Sequence, residues 1–394
     1  MSRLAPALGV AAAIALVAAI VAADTRGSPV PVGGVEHADT AAIVFILTLA
    51  AAFALYLGGL LVLRRVGAPL AVVCAIAAAI QLIPLGGPLL LSHDVYSYWA
   101  YARIESRHDS DPYRVPPARF PADPATVKVA PGWRDTTSVY GPAFTALSIG
   151  VDRFTQNPET VALVFRTVAA LAAIGATLLA ACIARRKAFA AAFVGWNPLL
   201  AVSFAGGGHN DALMLVLLLG ALALGARRRE GSAGSLWILA AAVKAPALLL
   251  LPLQLARGGR RFWIGCAAAG AAGGIAATLA FGSSWLTAFG RLGRNESRFA
   301  IPARLEELGV PDRAAHLLAV IVLVAGGLWL FLQARRERPR LALGACLLVL
   351  TTPWLLPWYS SWPVALAAVE EDDRTAQVLA LSIAAYLLTA RVPF

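Results

Sequence analysis

The sequence predicts an all-α polytopic membrane protein, and three observations carry that expectation. Hydrophobic residues fill 59% of the 394 positions and charged residues 14%, with a mean hydropathy of +0.72, a balance foreign to soluble domains. Apolar runs of about 20 residues recur, the length that crosses a bilayer as a helix. Arginines cluster between those runs, as they do in cytoplasmic loops. The net charge of +11 therefore reports topology, and no nucleic-acid partner is expected. Cys74, Cys182, Cys266 and Cys346 lie inside apolar runs without CxxC spacing, which suggests neither a disulfide framework nor a zinc site. Lysine is scarce, with Lys128, Lys187 and Lys244 standing against thirty arginines.

In chain order, the run 4–23 follows Arg3 and is long enough for a retained first helix rather than a shorter signal segment. After an outer loop, 24–40, the span 41–63 ends at Arg64-Arg65, which places that end in the cytoplasm. The span 68–91 must then exit, making 92–138 a large first extracytoplasmic loop. Within it Val95, Tyr98, Trp99 and Ala102 repeat at helical spacing. They predict a short amphipathic helix along the membrane surface, with Asp94 at its N-cap. Six prolines from Pro112 to Pro131 predict an ordered loop or lid. Residues 139–154, which include Gly141-Pro142, predict a partial helix.

The span 161–184 returns to Arg185-Arg186-Lys187, 188–205 leads out to the polar turn at Gly206–Asp211, and 212–226 descends to Arg227-Arg228-Arg229. The run 231–256 is interrupted by Lys244-Ala245-Pro246 and has arginines at both ends. A hairpin bent at that interruption keeps both basic ends inside, where a single crossing does not. Next, 262–281 exits, and 282–312 forms a second extracytoplasmic segment holding Trp285, Arg291, Arg294, Asn295, Arg298 and Glu306. The span 313–333 returns to Arg335-Arg336. The block 341–369 is broken at Pro353-Trp354, Pro357-Trp358-Tyr359 and Trp362-Pro363, with its kink facing outward, and 375–391 closes the chain. The sum is about eleven membrane elements, within a range of about 10 to 13 at ~20 residues each, in one integral domain.

This topology gathers polar groups on one face. Asp94 is either a helix cap, worth about 1 kcal/mol, or a reactive carboxylate beside His93 at the bilayer edge. His209-Asn210-Asp211 is either the end of a glycine-rich turn or part of the same site. Lys244 in the middle of an apolar run costs about 2.5–3.5 kcal/mol on insertion scales and marks a functional partner. It is expected to meet a lipid phosphate with Arg298 or His209 nearby, and leucine in its place is expected to leave the fold stable. The aromatics at 353–359 are interfacial anchors or part of the site.

One chemistry joins a lone carboxylate, cations at membrane depth, aromatics and no metal-ligand set: sugar transfer from a lipid-linked phosphosugar. The leaving phosphate diester is already a stable anion, so fixed positive charge serves it and no general acid is required. A single base deprotonates the acceptor hydroxyl, whereas hydrolysis more often shows a pair of carboxyls. No cofactor or metal is expected.

An ordered set of motifs covers roughly residues 40–365. It comprises Asp94-Val95-Tyr96-Ser97-Tyr98, Asp111-Pro112-Tyr113, Trp133, Tyr140-Gly141-Pro142 and Trp196-Asn197-Pro198. It continues with Gly207-Gly208-His209-Asn210-Asp211-Ala212-Leu213-Met214, Val243-Lys244-Ala245-Pro246 and Pro357-Trp358-Tyr359. The set resembles the GT-C glycosyltransferases, and within them the bacterial polyprenol-phosphate-mannose-dependent alpha-(1→6)-mannosyltransferases. It departs from them at Asp111-Pro112-Tyr113, where they usually read Asn-Pro-Tyr. The resemblance implies a GT-C fold in the cell membrane and an inverting transfer of mannose on the extracytoplasmic face. The donor is a polyprenyl-phosphate sugar and the acceptor a glycan or glycolipid. Asp94 then matches the catalytic base, and Lys244, His209 and Arg298 are expected to hold the donor phosphate. His93, Tyr96 and Tyr140 are expected to contact substrate, as are Asn210, Asp211, Trp358 and Tyr359.

Two alternatives stay open at this point. One is a GT-C transferase using polyprenyl-phosphate arabinose or glucose. The other is a secondary transporter or flippase, whose broken helices would frame a midplane site; the long outer loop 92–138 speaks against it.

Overall fold

The computed structural model describes residues 3–33, 39–290 and 296–392. Arg291, Arg294 and Asn295 of the second outer segment therefore lie outside the described residues. Among the described residues the chain is all-α, without strands beyond an isolated bridge between Pro31 and Leu90. The helices are α1 (Leu4–Ala23), α2 (Thr40–Val66), α3 (Leu70–Leu82), α4 (Asp94–Ser106), α5 (Pro124–Lys128), α6 (Pro142–Phe154) and α7 (Pro158–Ile183). They continue as α8 (Lys187–Gly195), α9 (Pro198–Ala201), α10 (Asp211–Ala226), α11 (Glu230–Val243), α12 (Pro246–Leu255) and α13 (Arg260–Phe281). The last are α14 (Thr287–Gly290), α15 (Ile301–Glu307), α16 (Asp312–Arg336), α17 (Leu341–Thr351), α18 (Ser361–Val369) and α19 (Arg374–Tyr386).

Five of these, α1, α2, α7, α13 and α16, are long and apolar enough to cross a membrane, and the bent α8–α9 pair makes a sixth. The other apolar runs are broken into shorter helices. Large apolar side chains stand exposed along α13 and α16, among them Leu279, Val320, Val324 and Leu328. That suits contact with lipid tails.

Local chemistry sets the helix ends. The Asp39 carboxylate accepts the Ala42 N–H to start α2, and Arg64 and Arg65 in its last turn complement the helix dipole. Between α8 and α9 the chain bends by 50°. There the Asn197 side chain accepts the Leu199 and Leu200 N–H groups and restarts the helix behind Pro198. Trp196, at the bend, donates to the Val73 carbonyl at 3.0 Å. Its ring fills the space left by Gly9 and Gly59, where an added Cβ would approach it to 2.9 Å.

Two hairpins shape the interior. In the first, the Trp237 indole donates to the Ala247 carbonyl at 2.7 Å and the Glu230 carboxylate lies against Gly259, so both ends of α11–α12 meet on one side. The bend falls at Lys244, which is extended, as the sequence suggested. In the second, Glu370 accepts the Leu341 N–H at 2.6 Å and the Ala342 N–H at 3.3 Å, while Arg340 pairs with Asp373 at 2.8 Å. The ends of α17–α18 therefore meet as well. The same side gathers Arg185 with Glu371 and Asp372 and Arg64 with Gln377. The opposite, loop-bearing side gathers the two hairpin tips, the N-terminus of α4 and the turn before α10.

The break in α11–α12 is stabilised by a close approach. Pro246 has no N–H and the last carbonyls of α11 lose their helical partners. Gly141 donates to the Val243 carbonyl at 3.2 Å and lies so close to the Ala242 carbonyl that a Cβ would collide with it. Gly141→Ala is therefore expected to destabilise the protein by about 1–3 kcal/mol through overpacking. Thermal unfolding of the detergent-solubilised variant would show the drop.

The structure corrects two expectations for α4. Its apolar face packs on protein rather than lipid: Val95, Tyr98, Trp99 and Ala102 are at most 1% exposed. The proline-rich loop and α6 cover it. Arg103 joins Asp123 of the loop at 2.9 Å and Asp152 of α6 at 3.2 Å, and Arg107 reaches Asp152 at 3.0 Å. The 92–138 segment is thus an ordered cover held by a buried ion network. Nor does Asp94 cap the helix. His93 holds the cap position, Asp94 is the first helical residue, and the Ser92 hydroxyl accepts the Asp94 N–H at 3.1 Å.

Candidate active site

Four segments converge on the loop side: the start of α4, the turn Gly206–Asp211, the Lys244 bend and the tip before α18. The turn is pressed against α4 by glycines. Gly208 has φ +72°, a conformation that favours glycine, and a Cβ there would strike Val95, the neighbour of Asp94. That contact delivers His209 to the carboxylate. Its Nδ1 lies 3.3 Å from Asp94 Oδ2, and its ring stacks on Trp358 with centroids 3.4 Å apart.

The two aspartates differ in how much of them is committed. Asp211 is fully buried, with one oxygen 2.6 Å from Lys244 Nζ and the other accepting the Trp362 indole N–H at 2.6 Å. Asp94 keeps 19% of its side chain exposed. Lys244 in turn is 16% exposed and stands 5.3 Å from the centre of the Tyr359 ring. An ammonium has three donors, so the Asp211 bond leaves others for a ligand. The buried pair also corrects the expectation that leucine is harmless at position 244, since that change would strand a buried carboxylate.

Asn210 sits between His209 and Asp211, 2% exposed, with both amide atoms lacking a hydrogen-bond partner among the described residues. A buried amide left unpaired costs about 1–3 kcal/mol. It therefore favours a ligand that donates and accepts hydrogen bonds. Tyr140 packs edge-on against Tyr98 at 4.8 Å and lines the same region.

For three expected site residues the structure shows no direct side-chain contact with Lys244 or His209 among the described residues. Arg298 is exposed, with its guanidinium 5.0 Å from the Phe299 ring, and the structure shows it in no contact with Lys244. His93 and Tyr96 line a cavity together with Lys128 and Arg134. Sequence reasoning gave no role to Trp362 or Ser92 and passed over Arg166. Arg166 is a buried guanidinium that donates to the Ala205 carbonyl at 2.6 Å, to Gly87 at 3.0 Å and to Pro84. It ties two turns together beneath Gly208. A charge inside the apolar run 161–184 was the available signal.

Asp94 and His209 lie outside the spanning helices, and their ionisation follows from their neighbours. Burial alone would raise the Asp94 carboxyl, but the His209 ring, the Ser92 hydroxyl and Arg391 more than offset it and hold it down at about 2. Burial also holds His209 below its ordinary value, against the pull of the Asp94 carboxylate. A depressed carboxyl favours the folded state above its unfolded value of 3.8, and that contribution is lost as the pH falls toward 2. The rate at saturating substrate is accordingly expected to show no acid limb from Asp94 between about pH 5 and 8. A limb centred near pH 6 that disappears in Asp94→Asn would contradict this.

A family model described as "Alpha-(1->6)-mannopyranosyltransferase, N-terminal domain" matches residues 4–257. The chain belongs to this family. It is similar to alpha-(1->6)-mannopyranosyltransferase A of Mycobacterium tuberculosis, 28% identical over 345 residues, covering 73% of this chain and 64% of that protein. Its counterpart in Corynebacterium glutamicum is 28% identical over 183 residues, covering 45% of this chain and 35% of the relative. A second M. tuberculosis alpha-(1->6)-mannopyranosyltransferase is 36% identical over 141 residues, covering 34% and 23%. The chain thus spans less than two thirds of these relatives' own length. No solved structure matches it. The family match contains Asp94, His209, Asp211 and Lys244 and ends before the α17–α18 hairpin that supplies Trp358, Tyr359 and Trp362.

Proposed function

We propose that the chain is an inverting glycosyltransferase of the GT-C type. It moves a mannosyl residue from a polyprenyl-phosphate donor to a glycan or glycolipid acceptor, at the extracytoplasmic face of the cell membrane. The observation that carries this reading is the division of labour in the site. Asp211 is spent holding Lys244, while Asp94 keeps an accessible carboxylate. Asp94 takes the proton of the acceptor hydroxyl as its oxygen forms the new bond to the anomeric carbon. The old bond breaks on the opposite side of the sugar, and the electrons leave with the lipid phosphate. Lys244 lies where a cation can stabilise that departing oxygen, with the stacked His209 and Trp358 beside it. Arg298, exposed with its guanidinium 5.0 Å from the Phe299 ring, is given no part. Asn210 offers its unpaired amide to sugar hydroxyls.

The test is purified protein with labelled polyprenyl-phosphate mannose, arabinose or glucose and candidate glycan acceptors. Transfer of mannose, with the product's anomeric configuration opposite to the donor's, is the expected result. Transfer of arabinose or glucose alone would replace the donor, and retention of configuration would remove the single-base mechanism.

The membrane face has its own test. Ala122, exposed on the cover loop, is a suitable cysteine site. An impermeant thiol reagent should label Ala122→Cys in intact cells, and labelling only after permeabilisation would place the loop in the cytoplasm.

A further inference from the structure

Arg166 carries a charge inside the apolar helix α7, a costly placement that normally marks a functional partner. It is 6% exposed. The partners the structure shows for its guanidinium are all backbone carbonyls: Ala205 at 2.6 Å, Gly87 at 3.0 Å and Pro84.

Those carbonyls belong to two turns. Pro84 lies in the 3-10 turn Ile83–Gly86, which follows α3 and is capped by Gly87. Ala205 lies in the π-helical turn Val202–Gly206, which follows α9, and π turns recur at functional sites. The last carbonyls of a helix lack onward partners and carry the negative end of its dipole. A planar fork of donors with a permanent charge can serve two such ends at once.

Beyond each turn stands one member of the pair that meets in the site. Asp94 follows Gly87 by seven residues, and His209 follows Ala205 by four. The two segments touch again on the way. The Leu90 N–H donates to the Gly206 carbonyl at 3.1 Å, and a Cβ on Gly206 would lie 3.5 Å from the Leu90 Cβ. The stem of Arg166 runs beneath Gly208, where an added Cβ would stand 3.5 Å from its Cγ. The guanidinium therefore sits at the root of the 3.3 Å contact between Asp94 and His209, while its own hydrogen bonds go to the backbone.

We infer that Arg166 is a positioning residue for the transfer reaction proposed above, on which this inference rests. By clamping the turn that leads to Asp94 against the turn that leads to His209, it fixes the register in which carboxylate and ring meet.

Arg166→Gln tests this in the full chain in nanodiscs. Because the partners are carbonyls the change strands no charge, and an amide reaches one turn but not both. Its kcat should fall about 100-fold, the cost of misplacing a reacting group by about 1 Å. The donor KM should stay within about twofold of wild type, since Lys244 stands on a different hairpin. With His209 displaced, Asp94 keeps Ser92 and Arg391 against burial. Its carboxyl then moves up, and kcat gains an acid limb that the wild type lacks.

The deciding variant adds Leu90→Cys and Gly206→Cys to Arg166→Gln. Cβ atoms 3.5 Å apart suit a disulfide, which joins the same two segments without the guanidinium. Once oxidised, with the bridge verified by peptide mass spectrometry, this chain should regain most of the lost turnover and lose the acid limb. Reduction should undo both. A bridged chain as slow as Arg166→Gln would overturn the inference, as would a wild-type kcat in Arg166→Gln itself. If Arg166→Gln folds only when bridged, the turnover of the bridged form decides. A bridged chain that does not fold would make the arginine part of the fold alone and overturn the inference too.

Nitrogen NMR of the histidine rings needs no sugar transfer. The His209 signal, identified among five histidines by its loss in His209→Gln, should move in Arg166→Gln to its place in Asp94→Asn and return on bridging. That pattern in a protein that transfers no sugar would uphold the positioning and remove the transferase. An unmoved signal beside a slowed kcat would keep the transferase and overturn the positioning.

Discussion

Asp94→Asn should lower turnover by about 10²–10⁴-fold, the usual worth of a general base, and leave donor binding and folding nearly intact. The structure makes this substitution clean. Position 94 is the first residue of α4 rather than its cap, and the Ser92 hydroxyl already accepts its N–H. What changes is charge: an amide cannot take the acceptor's proton, and the His209 ring loses the carboxylate that lies 3.3 Å away. Some stability follows the charge, because a carboxylate in a first helical turn is worth about 0.3–1 kcal/mol. That is too little to mimic a catalytic defect. Initial rates and donor affinity measured on the same preparation separate the two. Turnover above about a third of wild type would move the base elsewhere, against the expectation for general-base catalysis. Asp211 is a poor heir, since both its oxygens are already engaged.

Lys244→Leu should do two things at once, abolish transfer and destabilise the protein by about 3–5 kcal/mol, the penalty for leaving one half of a buried ion pair. Inactivity of that variant therefore proves little. The informative comparison adds Asp211→Asn. In Lys244→Met with Asp211→Asn no charge is stranded, the amide can still accept the Trp362 indole N–H, and stability should return toward wild type. Transfer should not return, because the cation proposed to stabilise the leaving phosphate is gone. Thermal unfolding and single-turnover transfer would be read together. A stable double variant that still transfers mannose at a normal rate would strip Lys244 of its role and leave it a structural partner of Asp211.

Much of this was legible in the sequence because membrane folding writes in long strokes. The arginine clusters at 64–65, 185–187, 227–229 and 335–336 marked the helix ends, and Lys244-Ala245-Pro246 announced a broken hairpin. The polar residues stranded in hydrocarbon were the ones that converged. What failed was local and depended on partners. The period in Val95, Tyr98, Trp99 and Ala102 reads the same whether the apolar face meets lipid or protein. Only the Arg103–Asp123–Asp152 network shows that α4 is covered, and those residues are far apart in the chain. Asp211 and Asp94 look alike in sequence because each stands near a histidine. Trp362 and Lys244, from distant segments, decide that one is consumed and the other exposed. Arg298 was named by charge and side of the membrane alone, and the contact the structure shows for it is with the Phe299 ring.

The α11–α12 hairpin sets a depth. Its arms contain 14 and 10 residues, which at 1.5 Å per residue extend only ~21 and ~15 Å from the arginine-rich side. A hydrocarbon layer is about 30 Å thick, so for a hairpin rooted at one boundary the ammonium at the bend would stop short of the other, at the floor of a pit. A lipid whose phosphate rides at headgroup level must either sink to meet it or find the bilayer thinned there. Membrane thickness then becomes a kinetic variable, and nanodiscs of longer acyl chains should slow the protein even where every side chain is in place.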